Sequence, residues 1–257
     1  MINQSRRIYQ VVIDIKISLV EIQNNFYRKL LAREFLSEIE IEHQFIGNSY
    51  SGYHFPKKLI ESKGTIWGVG LGRDSSFELE LIRQGYAFFG FEPEVSCYKV
   101  SQNQFRGTAA ILENYGLWDK AGSYSYTGEN ISIVNIFGLT QESAEKLDIR
   151  SLWDIALEKN LRNNLRPRIL KLNIEGAERE ILLRFINDPL DFEVITFQAE
   201  FLFHLGFKRI RNKQKAYKEL QSILRSLQKM DWEICHLSRN QITLIKKELL
   251  SRADIRE

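Results

Sequence analysis

Residues 64–93 run Gly-Thr-Ile-Trp-Gly-Val-Gly-Leu-Gly-Arg-Asp-Ser-Ser-Phe-Glu-Leu-Glu-Leu-Ile-Arg-Gln-Gly-Tyr-Ala-Phe-Phe-Gly-Phe-Glu-Pro. The order reads as strand, glycine turn, helix, strand, and few patterns narrow the choice of fold so far. Thr65 to Val69 is a short run rich in β-branched and aromatic residues. Within Gly68-Val69-Gly70-Leu71-Gly72 the missing Cβ atoms let the backbone turn sharply and approach a ligand closely. Asp74 and Ser75 are placed to cap a helix. Ser75 and Glu78 stand at capping-box spacing, and Gly85 is placed to end the helix. Ala87 to Phe91 is almost wholly apolar, as a parallel strand covered on both faces requires, and it finishes in Glu92-Pro93. An acid at the end of the second strand can accept both ribose hydroxyls, so the stretch has the pattern of a nucleoside-binding half-site.

The glycine spacing departs from the dinucleotide fingerprint, because the third glycine arrives one residue early and Arg73-Asp74-Ser75 follows it. An acid facing a helix N-terminus repels a pyrophosphate but accepts a hydrogen bond from an ammonium group. That favours S-adenosylmethionine over NAD as the ligand. The plainer reading is a glycine turn that only joins strand to helix. Against it, Glu92 lies roughly 20 residues further on, at the interval the motif requires.

With 257 residues, 44% of them hydrophobic and 27% charged, the chain can bury one α/β core with a small N-terminal addition. A net charge of +3 is too small to argue for a nucleic-acid partner, and aromatics are not interleaved with basic residues. Cys97 and Cys235 lack the spacing of a disulfide framework or a metal site, and read as buried free thiols in a reducing compartment. No metal is expected. No stretch is long and apolar enough to span a bilayer, and Met1 to Arg7 lacks the apolar core of a signal peptide, so the expected location is the cytoplasm.

Ahead of the glycine turn, residues 8–42 carry an apolar stripe at helical spacing: Ile8, Val12, Ile15, Leu19, Ile22, Phe26, Leu30, Leu31 and Phe35. We read residues 1–45 as a helical extension that packs on the main domain or on a second copy in a homodimer, and residues 46–257 as the main domain. Residues 47–56 read as a loop, in which Tyr50 or Tyr53 either touches the ligand or packs the junction.

Past Glu92, Val95 to Phe105 reads as a helix ending near Gly107, followed by a third strand at Ala109 to Tyr115. Gly116-Leu117-Trp118-Asp119 then reads as a loop whose Leu117 and Trp118 offer apolar surface to an adenine ring. Residues 121–139 alternate as a hairpin turning at Thr127-Gly128-Glu129-Asn130, and Leu147 to Leu157 reads as an amphipathic helix. A strand from Arg168 delivers Asn173 and Glu175 to its carboxyl end, where open α/β sheets bind ligands. Glu178 sits in the first turn of the next helix and complements its dipole. A further strand ends at Glu200, a basic helical region spans Phe207 to Met230, and Trp232 to Leu237 with Ile242 to Lys246 closes the chain as an antiparallel pair.

Leu170-Lys-Leu-Asn-Ile-Glu-Gly-Ala-Glu178 is similar to the LK-x-D-x-EG-x-E block of the FkbM family of S-adenosylmethionine-dependent methyltransferases. The glycine turn, Glu92, residues 116–119 and the strand ending in Glu200 fall in that family's order, so the resemblance covers about residues 46–247. Asn173 stands where the family usually has Asp, which keeps hydrogen bonding but removes a charge and a potential base.

The resemblance implies a class I, Rossmann-like α/β fold: a mostly parallel seven-stranded sheet with helices on both faces. It also implies methyl transfer to a hydroxyl on a sugar or another small natural-product or glycan acceptor. Gly68, Gly70, Gly72, Asp74 and Ser75 would hold the methionine end, Glu92 and Pro93 the ribose, Leu117 and Trp118 the adenine, with Tyr50 covering the ligand. Asn173, Glu175 and Glu200 would face the acceptor. Two other classes stand beside this one: a noncatalytic nucleoside-binding scaffold, and an NAD-dependent oxidoreductase, which the glycine spacing disfavours.

Overall fold

The computed structural model describes residues 21–36, 41–49, 51–60, 63–126, 145–163, 167–174, 176–199, 213–238 and 241–250. A helix over residues 21–35 (α1) is followed by strands β1 (His43–Ile46) and β2 (Tyr53–Pro56), which pair antiparallel. The expected loop at 47–56 is therefore shorter, since residues 53–56 form β2, and the division at residue 45 falls inside β1. Next come α2 (Lys57–Ile60), β3 (Thr65–Val69), α3 (Ser76–Arg83), β4 (Ala87–Phe91), α4 (Val95–Gln104) and β5 (Ile111–Glu113). Strands β6 (Gly116–Trp118), β7 (Gly122–Tyr126) and β8 (Glu145–Ser151) make a small sheet in the order β6-β8-β7. The chain then adds α5 (Leu152–Asn163), β9 (Pro167–Leu172), α6 (Glu178–Asn187), β10 (Val194–Gln198), α7 (Lys213–Gln228), β11 (Trp232–Ser238) and β12 (Gln241–Lys246).

The main sheet has seven strands in the order β11-β12-β10-β9-β3-β4-β5. Strands β5, β4, β3, β9 and β10 pair in parallel, while β12 runs against both β10 and β11. The architecture is thus a doubly wound, Rossmann-like α/β sheet with one reversed strand. Its strands are apolar on both sides because both sides are covered. Trp67, Val69, Phe91, Leu170, Leu172, Ile195 and Phe197 pack under α1, α5, α6 and α7. Ile66, Phe88, Ile169, Val194 and Ile245 pack under α2, α3 and the β1–β2 hairpin. In α6, Ile181, Leu182 and Phe185 are almost fully buried, each stabilising by roughly 1.5–3 kcal/mol.

Several local expectations change. Leu147 to Ser151 is strand, because Leu147, Ile149 and Ser151 are buried while Asp148 and Arg150 are exposed, a period of two that outweighs the helical spacing running on into α5. The partner of β7 is β8, with Gly122 opposite Ile149 and Tyr126 opposite Glu145; residues 127–144, which include the expected turn and return strand, lie outside the described residues. Ser75 makes no side-chain cap, and the expected box with Glu78 does not form.

α1 packs on the main domain. Leu31 and Phe35 enter the core, Tyr27 stacks on Tyr217 of α7 at 4.8 Å, and Glu34 pairs with Arg225 at 2.7 Å, while Ile22 and Phe26 stay exposed. No described helix is long and apolar enough to cross a membrane.

The hairpin meets β11 through three histidines. His54 stacks on His236 with centroids 4.3 Å apart, and His43 lies 5.1 Å from His236. Burial, with His54 and His43 alongside, lowers the His236 pKa to about 3, and burial with His54 also lowers that of His43. Such groups take up protons in the unfolded chain first, so stability is greatest above the ordinary value of 6.5 and falls as pH drops from there toward about 3. The variant His236→Phe, which keeps a ring in the stack, is expected to show a shallower loss of melting temperature between pH 7 and pH 4 than the wild type. An acid limb of unchanged slope would contradict this.

Candidate functional site

The winding reverses between β3 and β9: from β3 the sheet continues through β4 and β5, from β9 through β10. In open α/β sheets the ligand crevice lies outside the carboxyl ends at that point. Gly70 and Asn173 meet there. The Asn173 N–H donates to Val69 O at 2.9 Å and the Gly70 N–H to Phe91 O at 2.9 Å. Gly70 has φ +76°, and a Cβ on it would sit 2.0 Å from Asn173 O, so only glycine allows this approach. Gly72, at φ +61°, has open space where its Cβ would point. Gly68 differs, since its missing Cβ makes room for the Phe88 ring at 2.8 Å and serves packing.

Glu92 is 4% exposed and holds the turn from below. Its Oε2 accepts the N–H groups of Leu71 (2.9 Å) and Gly72 (2.8 Å), and its Oε1 accepts that of Glu94 (2.9 Å). Burial raises its pKa while these hydrogen bonds and Glu94 act on it in opposite senses, the former lowering and the latter raising. A carboxylate offers about four acceptor positions, so one remains on Oε1. Pro93 lies next to Gly116, where a Cβ would meet its ring at 3.1 Å.

Asp74 accepts the Ser76 N–H at 2.9 Å, Asn48 Nδ2 at 2.6 Å and Ser51 Oγ at 2.9 Å. Burial opposes its charge, but the hydrogen bonds from Asn48, Ser76 and Ser51 prevail and lower its pKa. Ser75 is buried, with its N–H on Gln104 Oε1 at 3.2 Å and no hydrogen bond at its hydroxyl among the described residues. Gln104 also donates to Arg73 O at 2.8 Å, strapping the turn from the end of α4.

On the β9 side, Lys171 is 3% exposed and pairs with Glu78 of α3, itself 1% exposed, at 3.0 Å. The same ammonium donates to Gly70 O at 2.9 Å. Asn173 Oδ1 is buried without a hydrogen-bond partner among the described residues. Glu178 is wholly buried and accepts the N–H groups of Ile174 and Gly176, each at 2.8 Å, so it braces the loop between β9 and α6. Tyr53 resolves toward packing: its ring is buried against Phe77, and its hydroxyl accepts from Gln198 at 3.1 Å.

Gly70 and Asn173 thus meet through their backbones, Glu92 is tied to Leu71 and Gly72, and Asp74 and Ser75 are held by Asn48, Ser51, Ser76 and Gln104. Leu117 and Trp118 do not join them as a loop. They form β6, paired with Arg150 and Ser151 of β8, and at 1% and 4% exposure they face the core and offer an adenine no surface. Glu175, Glu200 and Tyr50 lie outside the described residues. Lys171, Asn48 and Gln104 carry no such reading in the sequence, and Glu78, read as a capping-box residue, instead pairs with Lys171. Lys171 left a signal, because a lysine between Leu170 and Leu172 in an apolar strand is buried only with a partner.

No family model matches the chain and no curated protein is similar to it by sequence. Similar solved structures include the human methyltransferase 10 domain containing protein, at 14% identity over 88% of this chain and 96% of that one, with TM-score 0.35. The METTL16 MTase domain matches at 13% identity over 88% and 79%, with TM-score 0.37. Monomeric WbdD matches at 10% identity over 77% and 41%, with TM-score 0.39.

Replacing Glu178 with Ala leaves the Ile174 and Gly176 amides without their acceptor. A hydrogen bond to a charged group contributes about 1.5–3 kcal/mol, so the expected loss of unfolding free energy is about 3 kcal/mol or more. Urea denaturation measures it as a lower midpoint at unchanged slope. A loss below about 1 kcal/mol would remove the bracing role.

Proposed function

We propose that this chain is an S-adenosylmethionine-dependent methyltransferase of the FkbM kind, acting on a hydroxyl of a sugar or another small natural-product acceptor. The observation that carries the reading is the Asp74 carboxylate at the start of α3, held there by Ser76, Asn48 and Ser51 and kept charged by them. In a dinucleotide site a pyrophosphate takes that place. A resident anion excludes it and suits a nucleoside ligand that carries no phosphate. The rest of the turn is compatible with this: Gly72 leaves open space where its Cβ would point, and Glu92 keeps one acceptor position on Oε1.

Gly70, Gly72 and Asp74 would hold the methionine end, and Glu92 one ribose hydroxyl. Bound S-adenosylmethionine supplies a methyl group on a sulfonium, open to in-line displacement by an acceptor oxygen. The protein's part is to align that oxygen and exclude water, which supplies most of the rate, with a base only helping to remove the hydroxyl proton. Asn173 cannot be that base, being a neutral amide. We assign proton removal to Glu175, next along the chain from the β9 end, with Glu200 in reserve. The Asn173 replacement also favours a second reading, a noncatalytic nucleoside-binding scaffold.

Thermal-shift titration with S-adenosylmethionine, S-adenosylhomocysteine and NAD separates the ligand classes: the first two are expected to raise the melting temperature and NAD to leave it unchanged. Stabilisation by NAD alone would overturn the proposal. Methyl transfer to a supplied acceptor separates enzyme from scaffold. With an acceptor in hand, Glu175→Gln is expected to slow single-turnover transfer by about 10²-fold at nearly unchanged cofactor affinity, whereas Asn173→Asp retains activity. Wild-type transfer by Glu175→Gln would remove that residue from the base role.

A further inference from the structure

The peptide unit joining Gly70 to Leu71 is gripped at both ends by buried charge. Its carbonyl oxygen receives the Lys171 ammonium at 2.9 Å, and its N–H, on Leu71, points to the Glu92 carboxylate at 2.9 Å. Lys171 and Glu92 are 3% and 4% exposed, so neither interaction is diluted by solvent. Glu78, 3.0 Å from the ammonium, makes it possible to bury the cation at all.

We infer that Lys171 is a positioning residue for the glycine turn: together with Glu92 it fixes which way the Gly70–Leu71 peptide faces at the ligand crevice. Backbone gives only part of this. Flipping that peptide rotates ψ of Gly70, where the missing Cβ offers little resistance, and carries φ of Leu71 to the positive side, which an L-residue adopts only at a steric cost. The charges add to that discrimination. A flipped peptide would turn its carbonyl toward Glu92 and its N–H toward Lys171, setting like against like at both ends. Hydrogen bonds to charged groups are about twice as strong as neutral ones, so losing both favours a single orientation decisively. The same cation ties β9 to the first turn of α3 through Glu78, so β9, the turn and the helix that follows it are set by one side chain. For the identity of the ligand this inference rests on the methyltransferase reading; the peptide clamp itself does not.

Removing Lys171 alone would strand Glu78 in the core and confuse positioning with stability. The test therefore uses Lys171→Met with Glu78→Leu, since replacing both members of a buried pair by apolar residues is often neutral for stability. Amide hydrogen exchange at Leu71 and Gly72 and calorimetric affinity for S-adenosylhomocysteine are read on the same sample. The double variant is expected to melt near the wild type, yet to exchange those two amides at least about tenfold faster than wild type with the β3, β4 and β9 amides unchanged, and to bind S-adenosylhomocysteine at least about tenfold more weakly. A purely structural pair would instead return wild-type exchange and affinity along with the wild-type melting temperature, and that result overturns the inference. If the wild type itself fails to bind S-adenosylhomocysteine, the cofactor reading falls and the exchange rates alone decide the clamp. If the first double variant does not fold, Lys171→Met with Glu78→Gln gives the same comparison with more of the polar volume retained.

Discussion

Everything at the carboxyl end of this sheet depends on how closely two backbones can approach. Between β3 and β9 the Gly70 α-carbon comes so near the Asn173 carbonyl that a methyl group there would lie 2.0 Å from the oxygen. That closeness lets the parallel register run to the last residue of each strand, Val69 opposite Leu172, and still leaves the Asn173 N–H bonded to Val69. The two loops are therefore locked together at their bases through backbone.

Three buried carboxylates follow from that arrangement. Sharp turns leave amide N–H groups pointing inward, and a buried donor without an acceptor costs about 1–3 kcal/mol. Glu92 answers this need beneath the glycine turn and Glu178 beneath the loop after β9, while Glu78 neutralises the cation that holds the turn's carbonyl. Acidity in this crevice is first a matter of closing loops. Among the described residues, one acceptor position on Glu92 and the amide oxygen of Asn173 are left without a donor.

The sequence made the sheet and the turn legible because both rest on local chemistry. Continuous apolar strands, glycines at positive φ and an acid at the end of β4 need nothing from distant residues to be read. Asp74 was found for the same reason, since a short acid before a helix has few other uses. Features decided by tertiary pairing were harder. Leu117 and Trp118 read as a loop because β6 is three residues long and becomes a strand only through β8, far along the chain. The stretch at 147–151 alternates over so few residues that the helical spacing continuing into α5 masked it. Lys171 is not legible locally because its partners, Glu78 and Gly70, lie about 100 positions upstream and only the register of β3 against β9 brings them together.

The sheet's two borders also differ in a way that bears on life in a crowded solution. At one border β5 is three residues long, too short a row of free backbone groups for a strand of another molecule to zip onto, although its first residue, Ile111, is 44% exposed. At the other border β11 runs for seven residues, but its register against β12 shifts between Ile234 and His236. An irregularity of that kind increases local twist and spoils the flat ladder that edge-to-edge aggregation needs. One edge is guarded by brevity and the other by curvature, so the apolar strands between them can be as continuous as the core demands without making the folded protein a seed for its own precipitation.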